Sequence, residues 1–140
     1  MYYKLLQSSD SAKILDLALQ LNPETDRQIL ADRLEEMFGH ENYYCFGFYV
    51  DEDLIGISSG WLTTRFYSGK QLEIDNVIIA GDQQSKGYGK EFLTQLESWA
   101  RDRGCSTVEL NTYVNNARSH KFYFNEDYRI LGFHFQKKLD

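Results

Sequence analysis

The sequence predicts an α/β (α+β) fold: a mixed, mostly antiparallel central sheet with one parallel strand pair, flanked by helices on both faces. Three observations carry this. Aromatic and β-branched runs over residues 43–50 and 54–65 surround the acidic turn Asp51-Glu52-Asp53, the pattern of an antiparallel hairpin. A strongly amphipathic helix over 87–103 lies between two strand-like runs, which implies parallel strands joined by a right-handed crossover. Two further helical patterns precede the hairpin and supply cover for the sheet.

The elements follow in chain order. Residues 2–7 are a short apolar-aromatic strand. A helix starts near Asp10 as N-cap and runs through Ile14, Leu17, Ala18 and Leu21, until Asn22-Pro23 breaks it. Thr25 and Gln28 have the spacing of a capping box for a second helix, whose Leu30, Leu34, Met37 and Phe38 share a face. Gly39 closes that helix. After the hairpin, a loop over 67–70 leads to a third long strand at 71–80. In the helix at 87–103, Phe92, Leu96, Trp99 and Ala100 line one face and Gly104 is the stop. A strand is expected at 107–114, a short helix at 116–126, and a last strand at 128–139 containing Gly132.

Composition narrows the function. A chain of 140 residues with 42% hydrophobic and 26% charged residues suits a single globular domain over 1–140. A net charge of −6 argues against a nucleic-acid partner and suits a cationic substrate. No apolar run approaches the roughly 20 residues of a membrane span, and no leader pattern opens the chain, so no membrane partner is expected and a cytoplasmic setting is. Cys45 and Cys105 have neither metal-ligand spacing nor a disulfide framework, and His40, His120 and His134 are scattered, so no metal is expected.

The chemistry begins at Gln84-Ser85-Lys86-Gly87-Tyr88-Gly89, between a strand and a helix. Backbone N–H groups at a helix start lack intrahelical partners and carry the positive end of the dipole, which favours a phosphate. Gly87 and Gly89 allow close backbone approach, and Lys86 and Lys90 add charge. Glycine spacing alone is equally that of a tight strand-to-helix turn. The Gly-Lys-Ser/Thr of a P-loop is absent, and the three-glycine dinucleotide fingerprint is incomplete.

Gln84-x-x-Gly87-x-Gly89 resembles the coenzyme A pyrophosphate loop of the GNAT N-acetyltransferase superfamily. The preceding Val77-Ile78-Ile79 is similar to that family's cofactor strand, and Asn116-Ala117-Arg118-Ser119-His120-Lys121-Phe122-Tyr123 to its N-x-x-A-x-x-F-Y segment. Asp127-Tyr128 stands where the family usually has Gly-Phe. The resemblance implies acetyl-CoA as cosubstrate, without metal. It implies that the backbone of Val77, Ile78 and Ile79 lines the pantetheine arm and that Gln84, Ser85, Lys86, Gly87, Tyr88 and Gly89 hold the pyrophosphate with Lys90. It further implies that Asn116 contacts the cofactor and that Tyr123 lies beside the thioester sulfur.

An alkyl amine with a pKa near 10.4 is protonated at neutral pH and cannot attack until a base removes the proton. Glu73, on the strand expected to bind the thioester, matches the glutamate of histone-type members. Asp75 has the same strand parity, and proton loss to water is the third route. Tyr123 is the candidate acid for the leaving thiolate. Neither cysteine has an activating base in sequence, so direct attack without an acetyl-enzyme is expected. The reading is transfer of acetyl to a primary amine, with a small molecule as partner. A protein amine, a non-catalytic acyl-CoA sensor and a nucleotide-binding loop are the alternatives. Ten Tyr, nine Phe and two Trp, with strand edges to pair, suggest a homodimer through the 128–139 strand.

Overall fold

Runs of aromatic and β-branched residues, buried on both faces at the centre of β2 and β3, set the sheet. The computed structural model describes residues 1–140, divided into two compact units, Met1–Glu109 and Leu110–Asp140. In the first unit, β1 (Tyr2–Leu6), β2 (Tyr43–Val50), β3 (Asp53–Arg65) and β4 (Gly69–Ile79) pair antiparallel in that order, and β5 (Thr107–Leu110) follows at the edge beside β4. The sheet is therefore mixed, with one parallel pair. A 15-residue helix, α3 (Tyr88–Asp102), makes the crossover from β4 to β5.

The turns follow from local chemistry. Val50 pairs with Asp53, so the first hairpin loop is only Asp51-Glu52, and Asp51 takes a left-handed φ of 54°. Asp53 thus belongs to β3 rather than to the turn. The second hairpin closes over 66–68 with Gly69 at φ 74°, which starts β4 two residues earlier than expected.

Two helices, α1 (Ser11–Leu21) and α2 (Arg27–Phe38), cover one sheet face. Ile14, Leu15, Leu17 and Leu34 meet Tyr43, Cys45, Ile57 and Ile78 there in one buried cluster. The α2 cap is Asp26 rather than Thr25: its Oδ1 accepts the Gln28 N–H at 2.8 Å, placing a carboxylate at the positive helix end. Gly39 does end α2, though with an ordinary right-handed φ of −72°. On the opposite face, α3 packs aromatic against aromatic, with Phe46–Trp99 and Phe48–Phe92 centroids each 4.9 Å apart. Its end is a Schellman motif: Gly104 at φ 79° donates to the Arg101 carbonyl at 2.9 Å, and Cys105 to the Ala100 carbonyl at 3.0 Å. No helix is long and apolar enough to cross a membrane.

The second unit holds α4 (Ala117–Asn125), capped by Asn116, whose side chain accepts the Ser119 N–H at 3.1 Å. Asp127 takes φ 66° just beyond it and donates to the Phe124 carbonyl, while Tyr128 donates to the Tyr123 carbonyl at 2.9 Å. That is the same closing motif, with aspartate in the glycine place.

Two expectations are corrected. The strand expected over 107–114 stops at Leu110, and 128–139 forms no strand. Its Ile130, Leu131, Phe133 and Phe135 are 63–90% exposed. This unit contains no other strand beyond the last residue of β5, so an extended segment within it has no ladder to satisfy its backbone. A homodimer built on a C-terminal strand accordingly has no such strand to use.

Gly60 shows how tightly the aromatic face is filled. A Cβ there would lie 2.7 Å from Phe46 Cε2 and 3.0 Å from Leu72 Cδ1, and both side chains are fully buried. Gly60→Ala should cost about 1–3 kcal/mol of stability, as overpacking does, and denaturant titration of the two proteins checks it.

Candidate active site

The site is organised by an irregularity in β4. Ser59 pairs with Asp75 and Ile57 with Ile78, so β4 spends three residues where β3 spends two. Asn76 is the residue that absorbs the excess, at φ 50°. Because strand side chains alternate, the extra residue reverses the faces. Leu72 and Ile74 are buried ahead of the bulge, with Glu73 and Asp75 on the alternate face. Beyond it, Ile78 joins the α1–α2 cluster, so Val77 and Ile79 turn the other way.

Side chains from three adjacent strands hold this bulge. Tyr43 Oη and Ser59 Oγ lie 2.7 Å apart, Asn76 Nδ2 donates to Ser59 Oγ at 3.3 Å, and Asn76 N–H donates to Asp75 Oδ1 at 2.8 Å. Burial pushes the Tyr43 phenol well above its usual range, with neighbouring Cys45 adding to it. Burial likewise pushes the Cys45 thiol up to about 12 and raises Cys105, against a smaller opposing effect of Lys70. Both cysteines are therefore held as neutral thiols and lack the thiolate that nucleophilic work needs.

The edge of β4 matters next. With only four residues, β5 can pair with no more than part of the eleven-residue β4. The Ser106 N–H donates to the Lys70 carbonyl at 2.7 Å, so that pairing lies at the start of β4. The later stretch, 75–79, keeps a backbone edge with no strand beside it.

The connection from β4 to α3 is tied down at several points. Ala80 N–H donates to the Ile55 carbonyl at 2.7 Å, Gly81 N–H to Gln20 Oε1 at 3.0 Å, and Gln84 Nε2 to the Ile79 carbonyl at 3.0 Å. The Gln84 side chain thus anchors the loop to the strand. Lys86 Nζ donates to Gln83 Oε1 at 3.1 Å. Ser85 at φ 65° and Gly87 at φ 81° are both left-handed, with Lys86 between them outside that region. Gly87 is the N-cap of α3 and brings no side chain to its first turn, which opens with the amides of Tyr88 and Gly89. A Cβ on Gly87 would meet no heavy atom within 4 Å, so it would project into open space ahead of the helix.

The predicted acids occupy different settings. Glu73 is half-buried and its Oε2 accepts from Arg65 Nη2 at 3.4 Å, whereas Asp75 is exposed beside the bulge. Ile78 is buried core, leaving only its backbone available. In the second unit, the Asn116 side chain serves as the α4 cap. Tyr123 contacts Phe122 and Tyr128 at centroid distances of 5.0 and 5.5 Å, and burial raises its phenol to about 12. His120 Nε2 lies 2.9 Å from the Tyr113 carbonyl.

The bulge and its latch, Asn76, Ser59 and Tyr43, were missed from sequence, as was the Arg65 partner of Glu73. One signal existed: Asp75-Asn76 interrupts an apolar strand with residues that tolerate left-handed backbone.

Comparison with known proteins fits this geometry. A profile of the acetyltransferase (GNAT) family matches residues 11–126. The chain is similar to an uncharacterized N-acetyltransferase of Bacillus subtilis (strain 168), 25% identical over 137 residues, covering 97% of this chain and 96% of that one. Its fold is similar to the aminoglycoside N-acetyltransferase AAC(6')-Iy in complex with the bisubstrate analogue CoA-S-monomethyl-acetylneamine, with a TM-score of 0.84, 14% identity, and coverage of 99% and 97%. It is also similar to a ribosomal-protein-alanine N-acetyltransferase from Brucella melitensis biovar Abortus 2308, with a TM-score of 0.83, 18% identity, and coverage of 99% and 100%.

Substitutions at the bulge separate backbone from side-chain effects. Asn76→Leu places a branched side chain in left-handed backbone and should cost about 1–2 kcal/mol. Asn76→Gly suits that backbone and loses only the amide contact, so it should cost less, about 1 kcal/mol. Chemical denaturation of the pair checks the order.

Proposed function

This chain belongs to the acetyltransferase (GNAT) family, and we propose that it transfers acetyl from acetyl-CoA to the primary amine of a small molecule by direct attack. The observation that carries this reading is the left-handed pair Ser85 and Gly87 opening α3 directly after a bulged strand with an unpaired edge. The open space ahead of Gly87 fits a pyrophosphate, whose charge the helix dipole and the amides of Tyr88 and Gly89 favour. Lys86 and Lys90 lie on the same loop and first turn.

Acetyl-CoA supplies an acyl group activated as a thioester. The backbone of Val77 and Ile79, on the open edge, is assigned to the pantetheine arm, with one N–H polarising the acyl oxygen. In transfer, the amine nitrogen bonds to the acyl carbon, the carbon–sulfur bond breaks, and the amine proton passes to a carboxylate. Glu73 and Asp75 are the bases assigned, and they differ in that Arg65 engages Glu73. Tyr123 is assigned to the leaving thiolate as a hydrogen-bond donor. With its phenol raised to about 12 by burial, Tyr123 stays protonated and gives a hydrogen bond rather than the proton itself. A protonated phenol donating to an anion is well suited to the task.

The aminoglycoside-acetylating neighbour supports a small molecule bearing an amine as the acceptor, and the net charge of −6 suits the positive charge of that amine. The Brucella neighbour, named for a protein acceptor, favours a protein amine as the second reading. Mass detection of products from a panel of small amines and peptides decides between them.

Gly87→Val, strained at φ 81°, should abolish coenzyme A binding in calorimetry while lowering stability by only about 1–2 kcal/mol, and unaltered affinity would refute the loop assignment. Tyr123→Phe should lower kcat roughly 10- to 100-fold, the worth of one charge-assisted hydrogen bond, with little change in coenzyme A affinity. The wild-type rate should show no alkaline loss from Tyr123 until pH nears about 12, because raising the phenol keeps it protonated below that value. Of Glu73→Gln and Asp75→Asn, the one that removes the acidic limb of the kcat/KM profile identifies the base.

A further inference from the structure

A cavity of about 140 Å³ lies between α1, α2 and the sheet, within the first unit. Much of its wall is apolar, formed by Ile14, Leu15, Leu30, Leu34, Met37 and Ile57. A cavity near this size accepts a benzene-sized group, roughly six carbon atoms. Its polar lining includes the latch itself, Tyr43, Ser59 and Asn76. Asn76 directly precedes Val77, so the cavity reaches the strand assigned to the thioester. Arg33, an exposed residue of α2, also lines it and is its one charged side chain. Arg33 is joined to no carboxylate, unlike Arg27, which pairs with Asp16, and Arg65, which pairs with Glu73.

These features select an acceptor. A chamber for about six carbons has no room for the linked rings of an aminoglycoside, and its largely apolar walls favour an apolar skeleton over a polyhydroxylated one. A guanidinium at the lining repels a second cationic centre and offers a fork to a carboxylate or phosphonate. We propose that the acceptor is a primary amine on a compact apolar skeleton that also bears an anionic group, which Arg33 binds. Arg33 is thereby a specificity-determining residue, and a polycationic aminoglycoside is a poor substrate. This rests on the acetyltransferase reading above and deepens it. The anionic group sits either beside the amine, as in an α-amino acid, or at the far end of the skeleton, and matched pairs of amines separate the two.

The test is initial rates with acetyl-CoA on leucine against 3-methylbutylamine, 6-aminohexanoate against hexylamine, and the aminoglycoside neamine. In at least one pair the carboxylated member should have the higher kcat/KM by about 10- to 100-fold, the range for a hydrogen bond to a charged group, and that pair places the anion. Neamine should be the poorest acceptor. In Arg33→Glu the order within that pair should reverse. Independently of turnover, 4-methylpentanoate or hexanoate should raise the melting temperature of the wild type and not of Arg33→Glu. Equal rates within both pairs, an unreversed order in the variant, or neamine as the best acceptor would overturn the proposal while leaving the acetyltransferase reading intact. Absence of transfer to every amine together with no coenzyme A binding would instead remove that reading, and this proposal with it.

Discussion

A one-residue excess in β4 sets the terms on which the rest of the first unit is built. Antiparallel pairing with β3 is intact on both sides of Asn76, so the excess appears as a reversal of side-chain faces rather than as a broken sheet. Ahead of it the strand gives Leu72 and Ile74 to the core; beyond it, Ile78 fills the α1–α2 cluster. Both cores stay full only because the register steps where it does. Past the step, β4 runs beyond the end of the four-residue β5 and delivers the chain into the loop at Ala80. A left-handed asparagine is tolerable there because its amide and backbone N–H both find oxygen acceptors, on Ser59 and Asp75.

Burial controls which groups take part in chemistry. Tyr43, Cys45 and Tyr123 are all shifted upward by desolvation and so remain neutral across the physiological range. Neutral thiols are poor nucleophiles, which agrees with a mechanism that needs none. A neutral phenol can still donate a hydrogen bond to a thiolate. The carboxylates of β4 lie nearer the surface, with Glu73 half-buried beside Arg65 and Asp75 exposed.

The end of α4 illustrates how one position tolerates two residue types. Asp127 replaces a glycine that the resemblance leads one to expect, yet the left-handed turn forms, with the paired backbone bonds of the closing motif in place. Tyr128, the residue after it, packs its ring against Tyr123 at 5.5 Å, the apolar contact that accompanies such motifs. An aspartate costs more here than glycine would, and the ring contact offsets part of that cost.

Much of this was legible in the residues, because it depends on local chemistry. Aromatic and β-branched runs marked β2 and β3, period-3.6 runs marked α1, α2 and α3, and Gly104 marked a helix end whose left-handed backbone suits glycine. The turn into α3 was readable for the same reason: Gly87 takes the left-handed backbone that suits glycine. What the sequence could not determine involves partners distant along the chain. Residues 128–139 have the composition of a strand but form none, since strand formation needs a ladder and composition does not say whether one is available. Asn76 became a bulge through Tyr43 and Ser59, which lie 33 and 17 residues before it. The cavity at Arg33 joins two helices and three strands, and only packing them together decided its size, its apolar walls and its single charge.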